Sequence, residues 1–527
     1  MNKVASFAKS RSPDRLIVVS NRLPVVFEKN KNTDVWSSKT GSGGLVSALM
    51  PVLRDRGGIW VGWPGMRDNE GPLTPCLEKL SEDVGYGLVG VYLSEPEIKG
   101  FYEGFSNQII WPLFHDLPVD CHFRPEYWET YRAVNRKFID KVAAIRQAGD
   151  LIWVHDYHLI GVAAGLRRLG LTNRIGFFLH IPFPPPDLFL KLPWRADILS
   201  GMLEYDLIGF QTLRDCRNFQ RCLRALYKVR VEGQGQVQRL QATPLSGEAA
   251  HGRGQSLRVG SFPISIDFAH YEKLAMSKAA IEKVSRLRQT HGDRKMILSV
   301  DRLDYTKGLL HKLRAFRLAL ERYPDLRETC FLSLHVDPSR ENIPEYQRQR
   351  VQLEQLTSEI NGAWSRPGWI PIHYYYHSLT PTELIAYYRR ADVMLITALK
   401  DGMNLVAKDY CACHHGNDGI LLLSEFAGAA AELQKGALLI NPFDREGTAQ
   451  RIHEAMTMDH SSIAAGMRRL RRQIRRHDIY HWVNSYLQAI AGRNLEDFPK
   501  IQDYVPGPPP ETQVRRSRIV APTGESV

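Results

Sequence analysis

Short unbroken apolar runs, each closed by polar or glycine residues and followed by a helical stretch, recur along the chain. Residues 16–20 run into Asn21-Arg22, 151–154 into His155-Asp156, 175–179 into His180, and 207–210 into Gln211-Thr212. After a gap the pattern resumes. Residues 296–300 lead to Asp301-Arg302, 331–336 to Asp337 and then Arg340, 393–397 to Asp401-Gly402, and 420–423 to Ser424-Glu425. Runs without alternation fit parallel strands covered on both faces, and the helical stretches between them complete a βαβ grammar. Two series predict an α/β protein with two Rossmann-like, doubly wound domains. In open parallel sheets ligands sit beyond the carboxyl ends of the strands, and the polar residues fall at those ends.

The gap itself, residues 229–257, is rich in glycine and glutamine and reads as a long hairpin or loop. The boundary is placed near Phe262-Pro263-Ile264-Ser265-Ile266-Asp267, giving domains over 15–265 and 266–498. Residues 1–14 read as a flexible segment. Residues 499–527, with Pro506-Gly507-Pro508-Pro509-Pro510, read as a disordered tail.

Composition changes this picture in one respect. The 527 residues include 69 Lys plus Arg against 57 Asp plus Glu, a formal charge of +12. Such a surplus suggests a nucleic-acid partner, but no basic face interleaved with aromatics and no reading module is present. Six arginines, at 468, 469, 471, 472, 475 and 476, lie in one helical stretch, and Arg515, Arg516 and Arg518 lie in the tail. They read as a solvated helix face and a peripheral tail, so nucleic acid is not expected. No apolar stretch is long enough for a membrane span, and the first residues lack the apolar core of a secretory signal. Seven cysteines in such a length fit a reducing cytoplasm. Cys411-Ala412-Cys413-His414-His415 does not have zinc-site spacing, and no metal is expected.

The P-loop pattern and the G-x-S-x-G elbow are both absent. Gly41-Ser42-Gly43-Gly44-Leu45 is either a surface turn or a loop whose amides approach a sugar or phosphate. Arg302 and Lys307, just after a strand and just before a helix, are either solvated cations or a diphosphate clamp. Asp401-Gly402-Met403-Asn404-Leu405-Val406-Ala407-Lys408-Asp409 also follows a strand. Asp401 suits sugar hydroxyls and Asp409 a ribose, or the two are a helix cap and a surface acid. Arg22 and Arg340, at strand ends in different domains, would hold a phosphate if both faced a cleft. Trp60, Trp63, Tyr102 and Trp111 are core residues by default and sugar-pocket walls otherwise.

Together these residues resemble the trehalose-6-phosphate synthase family, over about residues 15–490. The resemblance rests on Val-Val-Ser-Asn-Arg-Leu-Pro-Val at 18–25, Gly-Gly-Leu at 43–45, Trp-Val-Gly-Trp-Pro-Gly at 60–65, and Trp-Val-His-Asp-Tyr-His at 153–158. It rests also on Phe-Phe-Leu-His-Ile-Pro-Phe-Pro at 177–184, Asp-Arg-Leu-Asp-Tyr-Thr-Lys-Gly at 301–308, Asp-Gly-Met-Asn-Leu-Val-Ala-Lys at 401–408, and Ser-Glu-Phe-Ala-Gly-Ala at 424–429. It implies a GT-B glycosyltransferase with two Rossmann-like domains across a cleft, the last helices packing back on the first. The implied reaction passes glucose, with retention, from a nucleotide diphosphate glucose (UDP-glucose foremost) to glucose 6-phosphate.

By the same resemblance, Arg22, Tyr102, Trp111, Asp156 and Arg340 belong to the acceptor site, the arginines on its phosphate. Gly43 and Gly44 close on the donor, Arg302 and Lys307 clamp its diphosphate, and His180 and Asp401 touch the transferred glucose. Leu379 and residues 405–409 line the nucleotide. Neither metal nor cofactor is implied. A separate trehalose-phosphate phosphatase would act downstream, and a homo-oligomer is compatible with the pattern. Two positions depart from the family: Asp409 stands where Glu is usual, and Asp116 where many members have Tyr. Donor nucleotides UDP, GDP and ADP stay open, as does glycerol 3-phosphate as an acceptor. A silent sugar-phosphate-binding regulator is disfavoured by the intact Arg302, Lys307, Asp156 and Asp401.

Overall fold

The apolar runs are strands, and their burial explains why. Leu16, Ile17, Val18 and Val19 are all fully buried, because each face of their sheet is covered. The computed structural model describes residues 15–29, 36–40, 44–56, 58–66, 74–245, 255–339 and 343–492. The expected segment 1–14 and tail 499–527 lie outside these residues.

The first half contains β1 (Leu16–Arg22), β2 (Val25–Lys29), β3 (Trp36–Thr40), β4 (Ile59–Trp63), β5 (Gly87–Gly90), β6 (Leu151–His155), β7 (Arg174–Phe178), β8 (Leu207–Phe210), β9 (Tyr227–Glu232), β10 (Val237–Pro244) and β11 (Gln255–Ser261). The second contains β12 (Lys295–Arg302), β13 (Cys330–Asp337), β14 (Ile372–Tyr376), β15 (Val393–Ile396), β16 (Ile420–Ser424) and β17 (Leu438–Ile440). A nine-stranded sheet has the order β5-β4-β1-β6-β7-β8-β11-β10-β9, and a six-stranded sheet the order β14-β13-β12-β15-β16-β17. The six-stranded sheet is parallel throughout. The larger one is parallel from β5 to β11, and the glutamine-rich segment supplies an antiparallel hairpin, β9 and β10, at its edge. This is the GT-B architecture, two doubly wound sheets.

Strand order reverses once in each sheet. In the first, β1 runs to β4 on one side while β6 opens the other. In the second, β12 runs to β13 on one side and meets β15 on the other. Such switch points leave a crevice beyond the strand ends, where ligands bind. Arg22 ends β1 and Arg302 ends β12.

The last helix, Ile479–Ile490, returns to the first sheet. Its Tyr486 ring stacks on Trp153 at 4.2 Å, and the hydroxyl donates to the carbonyls of Phe177 (3.1 Å) and Leu207 (3.2 Å). The preceding helix, His460–Arg476, corrects the reading of the arginine cluster. Arg468, Arg469, Arg472, Arg475 and Arg476 are exposed, but Arg471 is buried. Its guanidinium donates to the carbonyls of Cys411 (2.9 Å) and Ala412 (2.7 Å) and pairs with Glu272. A charge count could not see that one arginine of six satisfies the carbonyl end of a buried helix.

Candidate active site

The first switch point builds a cationic pocket from aromatic parts. Trp60 Nε1 donates to Ser20 Oγ (2.8 Å), and that hydroxyl donates to the Arg22 carbonyl (2.7 Å), fixing the end of β1. The Arg22 guanidinium lies 3.9 Å from the Trp63 ring centroid and 5.7 Å from that of Tyr102. Gly65, at φ +93°, is required here, since a Cβ would overlap the guanidinium. Lost hydration lowers the Arg22 pKa and Tyr102 offsets part of it, so the side chain stays a cation.

Tyr102 projects from an unusual element, the π-helix Ile98–Ile110. Such helices are rare and concentrate at functional sites. Asn107 of the same element donates to the Tyr102 carbonyl (2.7 Å) and accepts from Tyr157 (3.1 Å). His158 stacks on the Tyr102 ring at 6.0 Å.

Asp156, just past β6, has φ 73° and ψ 167°, a region nearly reserved for glycine. Such a backbone costs about 1–3 kcal/mol and persists where the surroundings over-determine it. Here its N–H donates to the Phe178 carbonyl (2.8 Å), and its Oδ1 accepts the His180 N–H (3.2 Å). His180 Nε2 in turn meets His155 Nδ1 at 3.2 Å. Burial drives His180 down to about 3, and burial followed by His180 drives His155 well below its usual value. Both rings are neutral at pH 7, so one nitrogen of the pair donates and the other accepts.

The second switch point is built on buried ionic supports. Lys312, fully buried, donates to Asp301 (2.6 Å) beneath the end of β12. Asp304 caps the next turn by accepting from the Thr306 amide (3.0 Å) and hydroxyl (2.8 Å). Arg302 is loosely paired with Asp304 at 3.7 Å, its side chain half-exposed. Lys307 reaches over to Asp401, Nζ to Oδ2 2.6 Å. Asn404, in the left-handed region, donates to the same oxygen (3.1 Å) and accepts the Ala407 N–H to cap the helix Leu405–Cys413. Burial pushes the Asp401 carboxyl up, but the Lys307 ammonium outweighs it, and the pKa falls below the usual carboxylate value.

The two switch points meet. The Arg302 guanidinium lies 5.7 Å from the Trp111 ring centroid, although Trp111 belongs to the first half. The His115 ring packs against Trp111 at 4.2 Å, tilted by 35°, and lies within the field of Asp304, Asp401 and Lys307. Burial lowers its pKa to about 4. Gly402 packs on the backbone of His180, where a Cβ would overlap the carbonyl oxygen. Arg22, Tyr102, Trp111, Asp156 and His180 thus surround one side of a cleft, and Arg302, Lys307 and Asp401 the other.

Gly43 and Arg340 lie outside the described residues, and Gly44 opens the helix Gly44–Arg56. Leu379 is half-buried between β14 and the helix Pro381–Arg390. Leu405 and Val406 are half-buried, while Gly402, Met403 and Ala407 are buried. The Lys408 ammonium is occupied inside the protein by the Ile264 carbonyl (2.8 Å) and Glu432 (2.5 Å). Asp409 is also buried, with Tyr271 as a hydrogen-bond partner, and burial raises its pKa to about 8. Sequence reasoning passed over His115 and Lys400, which donates to Asp116 at 2.6 Å. The only available signal for Lys400 was its position just before Asp401-Gly402.

Residues 14–492 match the model of glycosyltransferase family 20. A trehalose-6-phosphate synthase of Mycolicibacterium gilvum is 41% identical over 498 residues, 93% of this chain and 97% of the relative. That of Mycolicibacterium smegmatis is 41% identical over 477 residues, 90% of this chain and 92% of the relative. Among solved structures, an E. coli protein bound with UDP-2-fluoro glucose is 34% identical, with a TM-score of 0.81 over 91% of this chain and 100% of that one. An α,α-trehalose-phosphate synthase (UDP-forming) of Burkholderia xenovorans in complex with glucose-6-phosphate is 32% identical, with a TM-score of 0.79 over 91% of this chain and 100% of that one. Matched across nearly all of its folded length, the chain is a member of glycosyltransferase family 20.

Proposed function

We propose that this chain transfers glucose, with retention, from UDP-glucose to the anomeric hydroxyl of glucose 6-phosphate, giving trehalose 6-phosphate. The observation that carries the reading is the approach of Arg302 to Trp111, 5.7 Å from guanidinium to ring centroid. It sets a cation suited to a diphosphate against the aromatic wall of a pocket suited to a phosphorylated sugar. The names and bound ligands of the relatives supply the identity of both substrates.

In this reading Arg22 and Arg340 grip the acceptor phosphate, and Tyr102, Trp111 and Asp156 shape the sugar site. Arg302 and Lys307 hold the donor diphosphate. Asp401 and His180 touch the glucose that moves, and Gly43, Gly44, Leu379 and residues 402–409 lie along the donor. Chemistry follows from charge. The bond from glucose C1 to the β-phosphate oxygen breaks, and C1 bonds to the acceptor O1 on the same face. The acceptor proton passes to the departing diphosphate oxygen, whose growing charge Arg302 and Lys307 stabilise.

Retention through a covalent intermediate would need a free carboxylate at the anomeric carbon. Asp401 is instead engaged by Lys307 and Asn404. Asp156 accepts the His180 N–H, and the three neutral histidines supply no acid at pH 7.

The acceptor side corresponds to residues 15–265 and the donor side to 266–498. We place the reaction in the cytoplasm, a reading supported by seven free cysteine thiols. A separate phosphatase is the reaction class that consumes the product. The test is a matrix of UDP-, GDP- and ADP-glucose against glucose 6-phosphate and glycerol 3-phosphate, with each product identified. Trehalose 6-phosphate made fastest from UDP-glucose supports the reading, and preference for glycerol 3-phosphate overturns it.

A further inference from the structure

One strand beyond the His180–Gly402 contact, the crevice between the two halves continues. His180 follows β7 and Thr212 follows β8; Asp401 follows β15 and Glu425 follows β16. Between those outer strand ends lies a cavity of about 240 Å³, walled by Thr212, Arg214, Arg217 and Arg221 on one side and by Glu425 and Gly428 on the other. At about 30 Å³ per water, that is room for roughly eight waters, or for a phosphate with a small organic group. The three arginines fall at i, i+3 and i+7 of the helix Leu213–Arg224, and so share one face. They face one carboxylate, Glu425. Arg214 Nε is buried with no hydrogen-bond partner among the described residues, a state that buried polar groups ordinarily avoid. Guanidinium groups lining one side of a half-open cavity match the forked geometry of phosphate oxygens.

The opposite wall is tied to the site. Asp401 N–H donates to the Phe426 carbonyl (3.3 Å), Gly428 N–H to the Asp401 carbonyl (3.0 Å), and Ala429 N–H to the Met403 carbonyl (2.8 Å). An anion held between the helix Leu213–Arg224 and the loop at 425–431 would therefore brace the donor loop from behind.

We propose that this cavity is an anion site, separate from both substrate sites, for a compact phosphorylated small molecule, and that its occupancy favours the closed cleft. By linkage, an anion that prefers the closed cleft tightens donor binding by the same factor that the donor tightens anion binding.

The full-length protein, with UDP present to fill the donor site, is titrated with inorganic pyrophosphate by calorimetry. The site predicts one pyrophosphate bound per chain. In R217Q/R221Q, altered at two exposed positions, it predicts binding weakened by about tenfold or more, as expected for lost charge-assisted bonds. E425Q, which removes the lone carboxylate, binds pyrophosphate more tightly; opposite shifts in the two variants cannot both arise from misfolding. Without pyrophosphate, R217Q/R221Q turns over at the wild-type rate. No binding in the presence of UDP, or equal binding by wild type and R217Q/R221Q, overturns the proposal.

Discussion

Lys400 Nζ lies 2.6 Å from Asp116 Oδ2, an ion pair that joins loops of the two halves across 284 residues of sequence. Asp116, at φ 63°, follows His115 on the acceptor wall, and Lys400 precedes Asp401 on the donor loop. The pair fastens one loop to the other, and gives a physical role to the carboxylate that stands where many family members carry Tyr. Asp116 is about one-third exposed, so the pair is worth about 1 kcal/mol. Lys400→Met and Asp116→Asn should each raise the donor KM by about fivefold, with kcat changing less. The effect should shrink at high ionic strength, and steady-state kinetics at two salt concentrations check it.

Arg302 and Lys307 differ in what surrounds them, so their removal should differ too. Each loss should cost about 2.7–4 kcal/mol of transition-state stabilisation, a hundredfold or more in kcat. The Arg302 side chain is 44% exposed, and Arg302→Ala should leave the melting temperature almost unchanged. Lys307→Ala also strips Asp401 of its ammonium and leaves burial in control, so that carboxyl titrates higher. In the wild type, the depressed Asp401 pKa contributes stability that is fully present above the usual carboxylate range and is lost as pH falls through the lowered value. Lys307→Ala should lose that contribution at neutral pH. Thermal melts from pH 3 to pH 7 measure both effects.

Asp409 works in the opposite sense. Burial raises its pKa to about 8, only partly countered by Tyr271 and Lys408. A carboxyl that binds its proton more tightly when folded makes the protein less stable as pH rises from the unfolded pKa to the folded one. Asp409→Asn, close in shape to the protonated acid, should remove that slope. Its melting temperature should exceed the wild-type value by a margin that grows between pH 5 and pH 8. A constant margin would mean that Asp409 is ionised in the fold.

Arg471 separates a structural arginine from its solvated neighbours. Arg471→Ala removes the side-chain donor to two buried carbonyls and leaves Glu272 with Arg475 alone, and should cost about 2–3 kcal/mol. Arg468→Ala and Arg472→Ala, on the exposed face, should stay within about 0.5 kcal/mol. Urea denaturation of the three variants decides between them.

The strands legible as apolar runs were β1, β6, β7 and β8 in one sheet and β12, β13, β15 and β16 in the other, all with neighbours on both sides. Those without such a signal mostly lie at the edges. β5 and β17 have four and three residues, and β14, Ile-His-Tyr-Tyr-Tyr, is half-buried. An edge strand needs no continuous apolar run, because it is not covered on every side. Arg22, Arg302, Lys307 and Asp401 stood out as charges at or just past strand ends, and their proposed roles came from the resemblance; the structure sets Lys307 against Asp401 and Arg302 near Trp111. Lys400, His115 and the buried Arg471 were not, since their roles come from partners about 60 to almost 300 residues away. The strained Asp156 backbone and the π-helix under Tyr102 left no sequence pattern at all.

Same-face transfer to the anomeric oxygen of a phosphorylated hexose leaves its record in the linkage of the product. The product of UDP-glucose and glucose 6-phosphate is isolated and both anomeric centres are assigned by proton NMR. The expected product is a 1,1-linked disaccharide phosphate with both centres α, with one UDP released per linkage. A β configuration at the transferred glucose, a linkage to any other hydroxyl, or free glucose as the main product would contradict it.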